Sequence, residues 1–81
     1  MLNELKNSPK VVGIKQLRKA LSRGALLRIF LADNADPALT EPIAAQAEAQ
    51  GVPVERVSTM KELGQACSIA VGAAAAGLLR E

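Results

Sequence analysis

The residues best suited to chemistry lie in the first third of the chain. Lys15, Lys19 and Arg23 recur at steps of four, with Gln16 and Arg18 beside them. On a helix, residues four apart are neighbours, so this spacing puts the cations on one face. Ile14, Leu17 and Leu21 fall on a second face at steps of three and four. A row of ammonium and guanidinium groups suits phosphate oxygens. Gln16 adds a donor and an acceptor that can address a base edge. Gly13 and Ile14 stand where the helix would open, and free backbone N–H groups and the helix dipole favour a phosphate or a base acceptor there. A solvated amphipathic helix carries the same pattern, so spacing alone leaves both readings open.

The charge distribution sharpens the first reading. The net charge of +2 conceals a split. Residues 1–28 hold Lys6, Lys10, Lys15, Arg18, Lys19, Arg23 and Arg28 against Glu4 alone, a balance of +6. Residues 29–81 hold three cations against Asp33, Asp36, Glu41, Glu48, Glu55, Glu62 and Glu81, a balance of −4. One basic face and one acidic face are expected, and a basic face is the usual footprint for a phosphate backbone.

Composition removes several other classes. The chain has no histidine and one cysteine, Cys67. A structural zinc site needs clustered Cys and His, and a Ser–His or Cys–His nucleophile needs the imidazole. No catalytic residue, cofactor or metal is therefore expected. Asp33 and Asp36 share a loop, but two carboxylates are too few for a calcium site. No G-x-x-x-x-G-K phosphate loop is present. The lone cysteine fits a reducing cytosol, and residues 1–10 are too polar for a signal peptide, so a cytoplasmic location is expected. The longest apolar stretch, Ile69 to Leu79, has 11 residues, against the roughly 20 that span a bilayer. Cys67 itself reads as a small buried hydrophobe. Phe30 is the one aromatic residue, and it sits in an apolar run. Single-strand binders stack bases on exposed rings, so a nucleic-acid partner here would be structured RNA.

The elements that must position these residues follow from pattern. With 81 residues the chain is one domain, and 49% hydrophobic content built from Ala, Leu, Val and Ile gives a thin core of small side chains. Residues 2–7 suit a helical turn stopped by Ser8 and Pro9. Val11 and Val12 form a short apolar run. The basic helix runs from Gly13 and closes at Ser22, Arg23 and Gly24, with Gly24 as a left-handed cap. Ala25 to Ala32 reads as a central strand covered on both faces. Asp36 is the N-cap of a helix that starts at Pro37, runs to about Gln50 and is capped by Gly51. Val52 to Val57 reads as a short alternating strand. Thr59 to Glu62 is a T-x-x-E capping box that opens a helix to about Cys67. In the tail, Ala73 to Ala76 favours helix, but Gly72 and Gly77 argue against a long one. Strands alternating with helices define an α/β fold: a three-layer α/β/α sandwich around a mixed sheet of about four strands, with the tail as a buried strand whose small residues admit helices closely.

Three segments carry a family resemblance: Gly13-Ile14-Lys15-Gln16-Leu17-Arg18-Lys19-Ala20, Ala32-Asp33-Asn34-Ala35-Asp36-Pro37, and Leu63 through Ala74. In order and spacing they resemble the kink-turn-binding ribosomal protein family, L7Ae/L30e, and in particular its short bacterial members of YbxF type. The similarity covers about residues 8–80. The resemblance implies the α/β/α sandwich and binding to kink-turns, where an internal loop with tandem sheared G·A pairs bends an RNA duplex. The family's first motif is commonly Gly-Thr-Asn-Glu, two residues, then Lys. Gly13 and Lys19 match it; Lys15 and Gln16 stand in for Asn and Glu, as in the short bacterial members. By the resemblance, Gly13, Ile14, Lys15, Gln16, Arg18 and Lys19 meet RNA. A kinked internal loop opens the deep groove of RNA, where Gln16 can reach a sheared pair. The second motif is often Gly-Ile-Glu-Val. Here Ser68-Ile69-Ala70-Val71 lacks its glycine and carboxylate, which bears on affinity and RNA preference rather than on fold. Ile69, Ala70 and Val71 are implied as an apolar pad for an unstacked nucleotide, although core residues are also apolar. Asp36 corresponds to an acidic position near an extruded nucleotide, a role compatible with capping.

The expected partner is structured RNA containing a kink-turn: ribosomal RNA, a riboswitch or a messenger leader. Association with the ribosome and a monomeric state are expected as well, with no membrane contact. The alternative is a protein-interaction module of the same fold whose basic face meets an acidic partner.

Overall fold

The structure, a computed structural model, describes residues 3–80. Leu2, which the sequence adds to the first helical turn, lies outside them. The elements follow in the order α1 (Asn3–Asn7), β1 (Lys10–Val12), α2 (Ile14–Ser22), β2 (Leu26–Ala32), α3 (Pro37–Gln50), β3 (Val54–Val57), α4 (Met60–Ala66) and β4 (Ala75–Leu79). The four strands form one mixed sheet in the order β1-β4-β2-β3. β4 runs antiparallel to both β1 and β2, and β3 runs parallel to β2.

The continuous apolar run of β2 is explained by its place inside the sheet. Alternate side chains enter opposite cores, the pleat's period of two. Phe30 and Ala32 pack with Leu5 of α1, Leu63 of α4, Val57, Ala76 and Leu78. Ile29 and Leu31 pack with Leu17, Ala20 and Leu21 of α2, Ile43 and Ala47 of α3, and Ala75. The result is the expected three-layer α/β/α sandwich, with α1 and α4 on one face of the sheet and α2 and α3 on the other. Phe30, Leu5, Leu17, Leu21, Leu26, Ile29, Leu31, Ile43 and Leu63 are each almost fully buried. At about 1.5–3 kcal/mol per such side chain, these contacts are the main favourable term.

The caps fall where the sequence puts them. Asp36 Oδ1 accepts from the Ala38 amide at 2.9 Å. Gly51 adopts φ 74° at the end of α3. Thr59 Oγ1 accepts from the Glu62 amide at 3.1 Å and opens α4. Two boundaries differ by more than one residue. The β3 strand begins at Val54 rather than Val52, because the Val52 amide is still bound to the Ala47 carbonyl of α3 at 2.9 Å. It is an edge strand, so its burial does not alternate cleanly. The strand in the tail begins only at Ala75, and 68–74 is a loop. Gly77 in β4 has no room for a side chain: a Cβ would lie 2.7 Å from Leu17 Cδ1 and 2.7 Å from Leu26 Cδ2. The small residues of the tail therefore seat α2 on the sheet, as expected. Among the described residues, no helix is long and apolar enough to cross a membrane.

Candidate functional site

β1, β2 and β3 all point the same way, so α2, α3 and α4, which follow them, all begin at one end of the sheet. Three positive dipole ends thus face that end. Two of the helix starts are satisfied from within. α3 has Asp36, and α4 has Thr59 together with Asn34, whose Oδ1 accepts from the Met60 amide at 2.8 Å. α2 alone of these three has no side-chain cap, and it carries no acidic residue in its first turn. Helix geometry leaves the amides of its first residues, Ile14, Lys15 and Gln16, without intrahelical acceptors.

Gly13 fixes where that terminus sits. Its φ of 99° and ψ of 153° belong to a region that only glycine enters easily. Its amide donates to the Ala75 carbonyl at 2.8 Å. This corrects one expectation, because the amide of Gly13 is engaged by β4 and is not open to an anion. That bond ties the start of α2 to β4. Lys15, Gln16, Arg18 and Lys19 are exposed, and Ile14 is half-buried. Ile14, Lys15, Arg18 and Lys19 line an open groove of about 390 Å³. Leu17, Ala20 and Leu21 face the core, so the two sequence-derived faces of α2 are both present.

The early cations do not all join this face. Lys15, Arg18 and Lys19 lie on α2, with Arg23 at its C-terminal cap. Lys6 is on α1, in the other helical layer. Arg28 lies 3.9 Å from Glu55 across β2 and β3. The basic face is therefore the exposed side of α2 rather than the whole N-terminal third.

Both carboxylates of the β2–α3 loop have partners. Asp33 is 3.9 Å from Arg56, and Asp36 caps α3 while remaining exposed.

The α4–β4 loop lies on the opposite face of the sheet from α2. It leaves α4 at Cys67, runs back along the helix and enters β4 at the α2 end. The Ala73 amide donates to the Met60 carbonyl at 3.0 Å, and the Ala32 amide to that of Ala74 at 2.9 Å. Ile69 is 36% exposed and Val71 is 70% exposed, and Ala70 is exposed between them. None of the three belongs to the core, so the core reading of this apolar stretch does not apply. Cys67, by contrast, is buried, and burial pushes its thiol pKa up against the smaller opposing effect of Lys10.

The structure thus places Ile14, Lys15, Gln16, Arg18 and Lys19 on one face of the sheet and Ile69, Ala70 and Val71 on the loop of the other face, which reaches the α2 end of the sheet at Ala73 and Ala74. Sequence reasoning did not find the Asn34 cap or the left-handed Ser68, with φ 63°. The departure of Ser68 from the family glycine was the one signal that could have marked it.

An α/β/α sandwich of this strand order, with an uncapped basic helix on one face and an exposed apolar loop on the other, defines a recognisable class of protein. The model of the ribosomal protein L7Ae/L30e/S12e/Gadd45 family matches residues 2–81, and the chain belongs to that family. An RNA-binding protein of Geobacillus sp. (strain WCH70) is 44% identical over 70 residues, covering 86% of this chain and 85% of its own length. The RNA-binding protein YbxF of Geobacillus stearothermophilus matches at the same identity and coverage. Among solved structures, the Giardia lamblia 15.5kD RNA binding protein superposes with a TM-score of 0.92 at 25% identity, over 99% of this chain and 71% of its own. A Bacillus halodurans protein of unknown function shares the fold, with a TM-score of 0.87 at 19% identity over 98% of this chain and 83% of its own.

Proposed function

We propose that this chain is an RNA-binding protein that recognises kink-turns in structured RNA, acting as a ribosome-associated monomer without catalysis. One observation carries the reading. The basic, uncapped start of α2 and the exposed apolar residues Ile69 to Val71 belong to opposite faces of one sheet, and the loop that carries those residues enters β4 at the end where α2 begins. A straight duplex laid on α2 offers phosphates to Lys15, Arg18 and Lys19 but nothing for the loop. A bent duplex with a nucleotide out of the stack can meet both. The RNA-binding relatives support the RNA class, and the loop supports the bend. In this reading Gln16 addresses a base edge and Asp36 lies near the extruded nucleotide.

The test is a titration of fluorescent RNAs at several salt concentrations. A kink-turn oligonucleotide should bind at least about 100-fold more tightly than a straight duplex of equal length, both weakening as salt rises. Equal affinity for the two RNAs would reject shape recognition. Binding to neither would favour the protein-interaction alternative. Crosslinking in cells then distinguishes ribosomal RNA, a riboswitch and a messenger leader as the target.

A further inference from the structure

The α4–β4 loop is exposed, yet its backbone is held at several points. The Ser68 amide donates to the Gln65 carbonyl at 3.0 Å and the Ile69 amide to the Gly64 carbonyl at 3.1 Å. Further on, the Ala73 amide is bound to the Met60 carbonyl at 3.0 Å. Between these ties the chain passes directly against α4 at Gly64. The Val71 carbonyl oxygen occupies the space where a Cβ on Gly64 would sit, and Gly72 Cα would lie 3.1 Å from that Cβ. Glycine inside a helix is a poor choice for the helix itself. Its φ is not in the left-handed region, so backbone conformation does not require it here. What requires it is the neighbouring strand of loop.

The geometry points to Gly64 as a positioning residue for the proposed RNA interface. By lacking a side chain it lets the Val71 carbonyl seat against α4, which holds Ile69 and Val71 outward before any RNA arrives. A loop held in its binding conformation loses less freedom on binding, so affinity rises without any new contact. The inference rests on the RNA reading above. It adds that the loop is preset and that a buried residue with no RNA contact sets it.

Gly64→Ala tests it, because the added methyl group must push Val71 away. Alanine is the better helix former, so part of the loss in the loop is offset in α4 and the variant has a route to folding. The expected result is a roughly tenfold loss of kink-turn affinity, with straight-duplex binding and its salt slope unchanged. A 2-aminopurine placed at the unstacked nucleotide should also change its fluorescence in the bound complex. A folded variant that keeps the parent's ratio of kink-turn to duplex affinity would overturn the proposal. Hydrogen exchange on the free, unaltered chain gives a test that does not depend on the variant. The amides of Ser68, Ile69 and Ala73 should exchange at least about 100-fold more slowly than in an unstructured peptide. Exchange at the unstructured rate would show a loop that is not preset. If the parent chain fails to prefer kink-turn over duplex, the functional reading itself fails, a result distinct from either of these.

Discussion

At the scale of single residues, Ser68 is the point where sequence and conformation disagree. The bonds from Ser68 to Gln65 and from Ile69 to Gly64 are the paired bonds of a Schellman motif at the end of α4. The residue after the cap in that motif is left-handed and is usually glycine. Here it is serine at φ 63°, which costs about 1 kcal/mol relative to a relaxed backbone. Ser68→Gly should therefore raise the unfolding free energy by about 0.5–1 kcal/mol, after the greater freedom of glycine in the unfolded chain is set against the relief. A urea titration measures it, and an unchanged or lower midpoint would show that serine is not strained there. A serine by itself does not announce a positive φ, and only its place at the family's glycine position signals this conformation. Asp36 and Thr59 were legible, because their capping bonds reach only two or three residues along the chain. Asn34 was not, because its partner Met60 is 26 residues away and only the fold brings them together. The same limit hid the bond from Gly13 to Ala75.

At the scale of elements, α2, β2, α3, β3 and α4 followed from periodicity and breakers, while β1, legible only as a short apolar run, the type of the tail and boundaries set by tertiary contacts did not. Pattern alone puts the start of β3 two residues early, because Val52 is apolar and β-branched, like the strand that follows. The bond from Val52 to Ala47 keeps it with α3 instead. The tail was ambiguous because Ala and Gly carry little pattern. Its start at Ala75 is set by register against β1 and β2, with Ala76 opposite Val12 and Phe30. The placement of α2, and with it the basic face, depends on Gly77. Its missing Cβ admits the tips of Leu17 and Leu26. Gly77→Ala should force those side chains off their positions and lower stability by about 1–3 kcal/mol, the usual cost of overpacking a filled core. Thermal unfolding checks this. A loss under about 0.5 kcal/mol would mean that the leucines shift freely and that Gly77 does not set the seat of α2.

At the scale of the whole molecule, the candidate site is not a pocket but two surfaces on opposite faces of one sheet. The chain's +2 net charge does not foreshadow this, and neither does the split between its two portions, since Arg28 pairs with Glu55 and Lys6 lies in the other layer. What the fold contributes is separation. Lys19 is on α2 and Ile69 is on the α4 side, with the sheet between them. Residues so placed share no partner, and their effects on binding should be independent. Under the proposed RNA reading, Lys19→Ala removes a phosphate contact and should cost about 1–3 kcal/mol of kink-turn affinity, with a loss on a straight duplex too. Ile69→Asp removes apolar contact and adds a charge repelled by phosphate. It should cost a further 1–3 kcal/mol, roughly, on the kink-turn and leave the duplex nearly unchanged. The double variant should lose the sum on the kink-turn, to within about 0.5 kcal/mol, and only the Lys19 share on the duplex. Circular dichroism establishes first that each variant is folded, which the exposure of both side chains favours. Equal losses for Ile69→Asp on both RNAs would remove the loop from the interface and leave α2 as a general phosphate binder. A kink-turn loss in the double variant well short of the sum would mean that the RNA does not bridge the two faces independently, and the straddling geometry would have to be abandoned.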